Sequence, residues 1–137
     1  MSQCEPVVKS NVLIIIRGLP GSGKTTMARK LMEAGAVTKH FEADMFFEVD
    51  GEYKFDPKKL QDAHQWCRSE VLAALLNGEN VVVSNTFVKK WEVEPYIQAC
   101  LESNINYVIL TASGDYGSVH DVPEETIAKM KRNWEKF

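Results

Sequence analysis

Short β-branched apolar runs alternate with segments of helical periodicity along the chain. Val12–Arg17 is apolar and ends at a glycine, which predicts a buried central strand. Lys24–Ala34 follows with good helix formers, and Gly35 supplies a stop. Val37–Ala43 predicts a second, more polar strand. Asp50-Gly51 marks a turn, and Asp56-Pro57 reads as the N-cap and first residue of a helix. On that helix Leu60, His64, Cys67, Val71 and Leu75 recur at helical spacing until Asn77-Gly78 ends it. Val81–Val83 predicts a third strand, Lys89–Ser103 a helix disturbed by Pro95, and Tyr107–Leu110 a fourth strand. A polar loop from Thr111 to Val122 leads to a last helix beginning at Pro123, with Asp121 and Glu124 spaced for a capping box. Residues 1–10 read as a frayed lead-in.

Strands alternating with helices imply an α/β fold: a parallel sheet of about four strands with helices on both faces, joined by right-handed crossovers. Ligands in such folds sit beyond the carboxyl ends of the strands, so the loops after Arg17, Ala43, Val83 and Leu110 are the ones that carry chemistry. The length of 137 residues predicts a single domain with a core that needs no disulfide or structural metal.

Composition narrows the partners. With 45% hydrophobic and 26% charged residues the chain is an ordinary globular one, and no apolar run approaches the roughly 18 residues of a membrane span. The opening MSQCEPVVKS lacks the blocks of a secretory signal, and Cys4, Cys67 and Cys100 have no CxxC spacing; both features predict a cytoplasmic protein. His40, His64 and His120 stand far apart, which argues against zinc. A net charge of −3 argues against tight non-specific binding of long nucleic acid but leaves a nucleotide substrate open.

The loop after the first strand, Gly18-Leu19-Pro20-Gly21-Ser22-Gly23-Lys24-Thr25, is a full match to GxxxxGK[ST], entered by an apolar strand and left by a helix. Gly18, Gly21 and Gly23 allow close approach of the backbone, so that the amides of Ser22, Gly23 and the following Thr25 and Thr26 can face phosphate oxygens. Lys24 supplies a compact charge for the β- and γ-phosphates, and the Thr25 hydroxyl a ligand for Mg²⁺. A purine nucleoside triphosphate, with ATP as the leading choice, is therefore the expected ligand. The fold class becomes a P-loop NTPase three-layer sandwich.

The second loop, Phe41-Glu42-Ala43-Asp44, places a carboxylate at the phosphate end of the sheet, where Asp44 can accept a proton from an attacking hydroxyl. Glu42, Glu48 and Asp50 are weaker candidates. The third strand runs into Ser84-Asn85-Thr86, where a motor-type ATPase would carry an Asp-Glu pair; a mechanical ATPase is disfavoured.

The phosphate loop, Asp44, the Asp56-Pro57 helix with Ala63-His64-Gln65-Trp66-Cys67, Asn85-Thr86 and Val119-His120-Asp121-Val122-Pro123 together resemble the small P-loop kinases related to the 5′-hydroxyl kinase domain of phage polynucleotide kinase. The resemblance covers roughly residues 12–135. It implies phosphoryl transfer from ATP to a hydroxyl of a nucleoside, nucleotide or polynucleotide end. Asp44 would be the general base, Lys24 would stabilise the transferring group with Mg²⁺, Asn85 and Thr86 would lie near the acceptor, and His120 would belong to a lid hinge.

The chain departs from that pattern twice. Asn85 stands where the family kinase often has Asp. Between Lys90 and Lys129 there is no Lys or Arg, so the lid-like stretch Ser113–Ser118 carries no arginine for the transition state. Arg17, Lys89, Lys90, Lys131 and above all Arg132 are the candidates to replace it, unless the last helix merely solvates its basic face. A protein partner or the acceptor strand would otherwise complete the site. Two rival readings stay open: an ATP-binding regulatory module without efficient transfer, and a kinase for a small metabolite.

Other residues read more simply. His64 and Cys67 fall on an apolar helix face, His64 as a satisfied, partly buried histidine and Cys67 as a small core residue. Phe46, Phe47, Tyr53 and Phe55 suit either stacking on an acceptor base or packing of a loop on the sheet edge. Trp66, Trp91 and Trp134 read as helix-packing residues, with Trp91 and Tyr96 as an alternative lining of the acceptor side.

Overall fold

A computed structural model of the protein describes residues 11–114 and 122–137. Its elements are β1 (Val12–Arg17), α1 (Lys24–Glu33), β2 (Lys39–Phe41), β3 (Glu48–Val49), β4 (Glu52–Tyr53), α2 (Leu60–Leu76), β5 (Val81–Asn85), α3 (Lys90–Glu102), β6 (Asn106–Thr111) and α4 (Glu124–Asn133). The expected lead-in at 1–10 with Cys4, most of the lid-like stretch, His120 and the Asp121 cap lie outside the described residues.

Four strands form the expected parallel sheet, in the order β2-β5-β1-β6. Ile15 lies opposite Val83 on one side and Ile109 on the other, so β1 is central. The strand order switches direction at β1, which opens the crevice of the fold just beyond Arg17. The pleat then sorts the apolar residues. Leu13, Ile15, Val81 and Val83 pack with Ala63, Cys67 and Val71 of α2 and Val93 and Cys100 of α3. Ile16 and Val82 pack with Ala28 of α1 and with Val37. A strand buried on both faces has no polar alternation, which is why Val81–Val83 reads as an unbroken valine run.

Several boundaries differ from the pattern-based reading for physical reasons. The second strand spans only Lys39–Phe41, because the Ala43 N–H leaves the ladder for the Asn85 side chain and a 3-10 turn begins at Ala43. β5 continues to Asn85, since Ser84 and Asn85 stay in register with Ile16 and Arg17. Asp50-Gly51 does turn the chain, but within an unpredicted hairpin: β3 and β4 pair antiparallel, and both turn residues have positive φ (52° and 80°), as a type I′ loop requires. Asp56 caps as expected by accepting from Lys58 N–H at 3.0 Å, although a 3-10 turn precedes α2. Leu60 is exposed, and the buried face of α2 is Ala63, Cys67, Val71, Ala74 and Leu75. α3 runs unbroken through Pro95.

The aromatic residues after Asp44 pack chiefly on one another. Phe47 is buried and meets Tyr53 and Phe55 edge-on, while Phe46 leans on Trp66. Trp66 and Trp134 are packing residues, whereas Trp91 is 70% exposed. Tyr96 is in the core. Among the described residues no helix is long and apolar enough to cross a membrane.

Candidate active site

The phosphate loop bridges the end of β1 and the start of α1. Gly18 donates its N–H to Thr86 O at 3.2 Å, fastening the loop to the end of β5. A Cβ on Gly18 would lie 2.3 Å from Ser22 Oγ and 2.9 Å from Ala112 O, so only glycine fits. Gly23 takes the left-handed conformation (φ 94°) that turns the chain into α1. The first turn of α1 has neither a side-chain cap nor an acidic residue, leaving its amides and its positive dipole end available to an anion. Ser22 Oγ is buried and finds no hydrogen-bond partner among the described residues. Thr25 and Thr26 are exposed in that first turn.

Lys24 folds back on the loop, Nζ donating to Gly18 O at 2.9 Å and Leu19 O at 3.0 Å. Burial pulls its pKa below the ordinary lysine value, against the opposing pull of Glu42 and Asp44. Both carboxylates therefore act electrostatically on the lysine that would meet phosphate.

Glu42, a minor candidate from sequence, is the hub of the polar network. Its Oε1 accepts from Thr25 Oγ1 at 2.7 Å and Ser84 Oγ at 2.9 Å, and lies 3.2 Å from His40 Nε2. His40 Nε2 is also 2.8 Å from Ser84 Oγ. Burial alone would raise the Glu42 pKa, but the hydrogen bonds from His40, Thr25 and Ser84 and the charge of His40 outweigh it and hold the carboxyl below its ordinary value. No feature of the sequence separates Glu42 from Glu48; only the pairing of β2 with β5 brings it to Thr25.

Asp44 sits half-buried in the 3-10 turn, its Oδ1 3.4 Å from the Tyr53 hydroxyl. Burial, followed by the neighbouring Asp44 charge, pushes the Tyr53 hydroxyl up to about 12. Asn85, expected beside the acceptor, uses its carboxamide within the fold. Oδ1 accepts from Ala43 N–H at 2.8 Å and Nδ2 approaches Cys67 Sγ at 3.8 Å. It is a positioning residue that fixes the backbone immediately before Asp44. Thr86 contributes its carbonyl to the phosphate loop. Burial raises the Cys67 thiol, a core residue of that helix face, and lowers the partly buried His64 beside it, which favours the neutral form of both.

The arginines are placed differently from expectation. Arg17 is buried and committed: Nε and Nη2 donate to Phe87 O (3.0 and 2.8 Å), and Nη2 also to Val88 O (3.1 Å) and Glu135 O (2.7 Å). These bonds commit Nε and Nη2 to main-chain carbonyls of the fold. Arg132 is exposed on α4, and its neighbour Lys131 is the basic residue that lines the cleft beside the phosphate loop. That cleft, of about 1050 Å³, runs between α4 and the loop, with Leu19, Pro20, Ala112, Ile127 and Trp134 among its walls. Sequence reasoning missed it, because the last helix meets the phosphate loop only in three dimensions.

Comparison with known proteins agrees with this architecture. Residues 13–116 match the family described as AAA domain. The chain is 30% identical over 138 residues to human NEDD4-binding protein 2, covering 92% of this chain but 8% of that protein. Among solved structures, the Pnkp1/Rnl/Hen1 complex superposes with a TM-score of 0.63 at 22% identity, over 88% of this chain and 38% of that one. The Mycobacterium tuberculosis APS kinase in complex with AMPPNP and APS superposes with a TM-score of 0.56 at 18% identity, over 88% of this chain and 68% of that one. The chain thus spans a small part of its curated relative, and its likeness to the solved structures is one of fold. The switch-point crevice, the phosphate loop at its floor and the match across most of the sheet make this chain a member of the AAA-domain family of P-loop, kinase-like domains.

Proposed function

We propose that the protein transfers the γ-phosphoryl group of ATP to a hydroxyl of a nucleotide, nucleoside or polynucleotide end. One observation carries this reading: Asp44 follows directly on Ala43, whose N–H is clasped by Asn85 at the end of β5, so a half-buried carboxylate is fixed at the same end of the sheet as the phosphate loop. The uncapped amides of α1 and the unpartnered Ser22 hydroxyl suit phosphate oxygens, and the cleft beside them suits a nucleoside. The oxygen-bearing Thr25 side chain suits Mg²⁺, which would offset charge on the β- and γ-phosphates.

The chemistry balances simply. Asp44 takes the proton of the acceptor hydroxyl as its oxygen bonds to the γ-phosphorus, and the bond from that phosphorus to the bridging oxygen breaks to release ADP. Lys24 exchanges its loop carbonyls for the transferring group. Positioning and electrostatics supply the acceleration. The RNA-repair setting of the structurally similar Pnkp1/Rnl/Hen1 complex supports a nucleic-acid acceptor over a metabolite.

A second reading, an ATP-binding regulatory module, is favoured by the arginines: Arg17 is locked, and Arg132 is not among the residues lining the cleft. Incubation with γ-labelled ATP, Mg²⁺ and a panel of 5′-hydroxyl oligonucleotides, nucleosides, nucleoside monophosphates and sugars separates the two. Label in one acceptor class, lost by about 10²–10⁴-fold in Asp44→Asn with ATP binding retained, is the expected result. Binding without transfer to any acceptor would establish the module instead.

A further inference from the structure

P-loop proteins hold their nucleotide-bound Mg²⁺ with the loop Ser/Thr and an aspartate at the end of a neighbouring strand. Here β5, the strand beside β1, ends in Ser84 and Asn85, so that position carries no carboxylate. Ser84 is buried, and its hydroxyl points at a carboxylate supplied by the next strand: Oγ lies 2.9 Å from Glu42 Oε1. The same oxygen lies 2.7 Å from Thr25 Oγ1, the hydroxyl expected to meet the metal. His40 and Ser84 fix the carboxylate from behind, and these contacts and that of Thr25 all fall on Oε1.

We propose that Glu42 is the carboxylate of the magnesium site, moved one strand outward from β5 to β2 and aimed by Ser84 and His40 at Thr25. This rests on the reading of the chain as an ATP-binding domain. An oxygen donor set of one hydroxyl and one carboxylate, completed by phosphates and water, suits a cation that keeps much of its hydration shell. Asp44 is then free to act as base, because the two carboxylates at the end of β2 have separate tasks. Its Oδ1 faces the Tyr53 hydroxyl on the hairpin, whereas Glu42 faces the phosphate loop.

The test is the ratio of affinities for a non-hydrolysable ATP analogue in excess Mg²⁺ and in EDTA, with bound Mn²⁺ in the ternary complex counted by electron paramagnetic resonance. Glu42→Gln keeps an oxygen to accept from Thr25 and Ser84 but removes the charge. It should lower the Mg²⁺ enhancement and the Mn²⁺ affinity by about 10–100-fold, while binding in EDTA is unchanged or tighter. Placing the carboxylate back on β5, Ser84→Asp in the Glu42→Gln background, should restore both. An unchanged enhancement in Glu42→Gln would reduce Glu42 to an orienting partner of Thr25. Its loss in Asp44→Asn instead would assign the metal to Asp44. Failure of the wild-type protein to bind the analogue under either condition would remove the nucleotide reading itself, a result distinct from both.

Discussion

The Arg17 guanidinium carbon lies 3.9 Å from the centre of the Trp134 ring, and the Phe137 ring packs against it at 3.8 Å. A cation at the end of the central strand is thus enclosed by two aromatic rings from the end of the chain. It also donates to the carbonyls of Phe87, Val88 and Glu135. The Glu135 carboxylate in turn accepts from Lys90 N–H at 2.7 Å, and Glu135 N–H donates to Val88 O at 2.9 Å. The segment after α4 is therefore stitched to the loop after β5, and this stitching sets the position of α4 over the cleft beside the phosphate loop.

Arg17→Ala leaves those carbonyls without their charged donor and empties the space between the rings. A loss of about 3 kcal/mol in unfolding free energy is expected from the broken charged hydrogen bonds. Trp134→Ala removes one cation–π face and some packing, for a smaller loss of about 1–2 kcal/mol. Urea unfolding followed by circular dichroism measures both. Equal stability of Arg17→Ala and wild type would show that the stitching contributes nothing to the fold.

Asn85→Ala tests the clasp on Ala43, immediately before Asp44. The Ala43 N–H would lose its buried acceptor, at a cost of about 1–2 kcal/mol, and Asp44 would be less well placed. Transfer should fall by about tenfold or more with ATP affinity nearly unchanged, because the phosphate loop is untouched. Asn85→Asp keeps the acceptor oxygen and should retain more activity than Ala. A parallel fall in ATP affinity would mean that Asn85 supports the nucleotide rather than the base.

The contrast between these residues shows what a linear sequence can carry. The phosphate loop was legible because its chemistry is local: each glycine, the lysine and the threonine act within eight positions of one another. The buried strands were legible because a doubly covered strand has to be apolar throughout. Asn85 reads as an acceptor ligand in the same sequence, since nothing along the chain reveals that Ala43, across the β2–β5 pairing, needs an acceptor. Glu42 reads as a minor candidate for the same reason, and Arg17 reads as available because Trp134, Glu135 and Phe137 are more than a hundred positions away. The hairpin at Asp50-Gly51 was half visible, its turn by residue type but its two-residue strands too short to show alternation.

Gly18→Ala isolates the packing of the phosphate loop from its charge. The new methyl would collide with Ser22 Oγ, which has no hydrogen-bond partner among the described residues, and with the Ala112 carbonyl. An overpacking cost of about 1–3 kcal/mol is expected. Nucleotide affinity should fall with it, because Ser22 and the loop backbone shift together. Isothermal titration with an ATP analogue reads the affinity, and undiminished binding would show that the loop relaxes without disturbing its amides.

The pH dependence of stability offers a test of the Glu42 network that needs no ligand. Its ordinary carboxyl value is 4.5, and in the fold the pKa lies lower because the His40, Thr25 and Ser84 bonds outweigh burial. A depressed folded pKa means that the ionised form stabilises the protein. That contribution is complete above about 4.5 and is lost as the pH falls through the folded value. Glu42→Gln lacks the titration, so it should be less stable than wild type near neutrality, and the gap should close on acidification below about 4.5. His40 and Lys24 are the basic groups that act on Glu42, so His40→Asn should shrink the same gap by withdrawing one donor and one charge. Urea midpoints from pH of about 7 down to about 3 give the curves. A gap that widens as the pH falls would reverse the sign and place the desolvation of Glu42 above its hydrogen bonds.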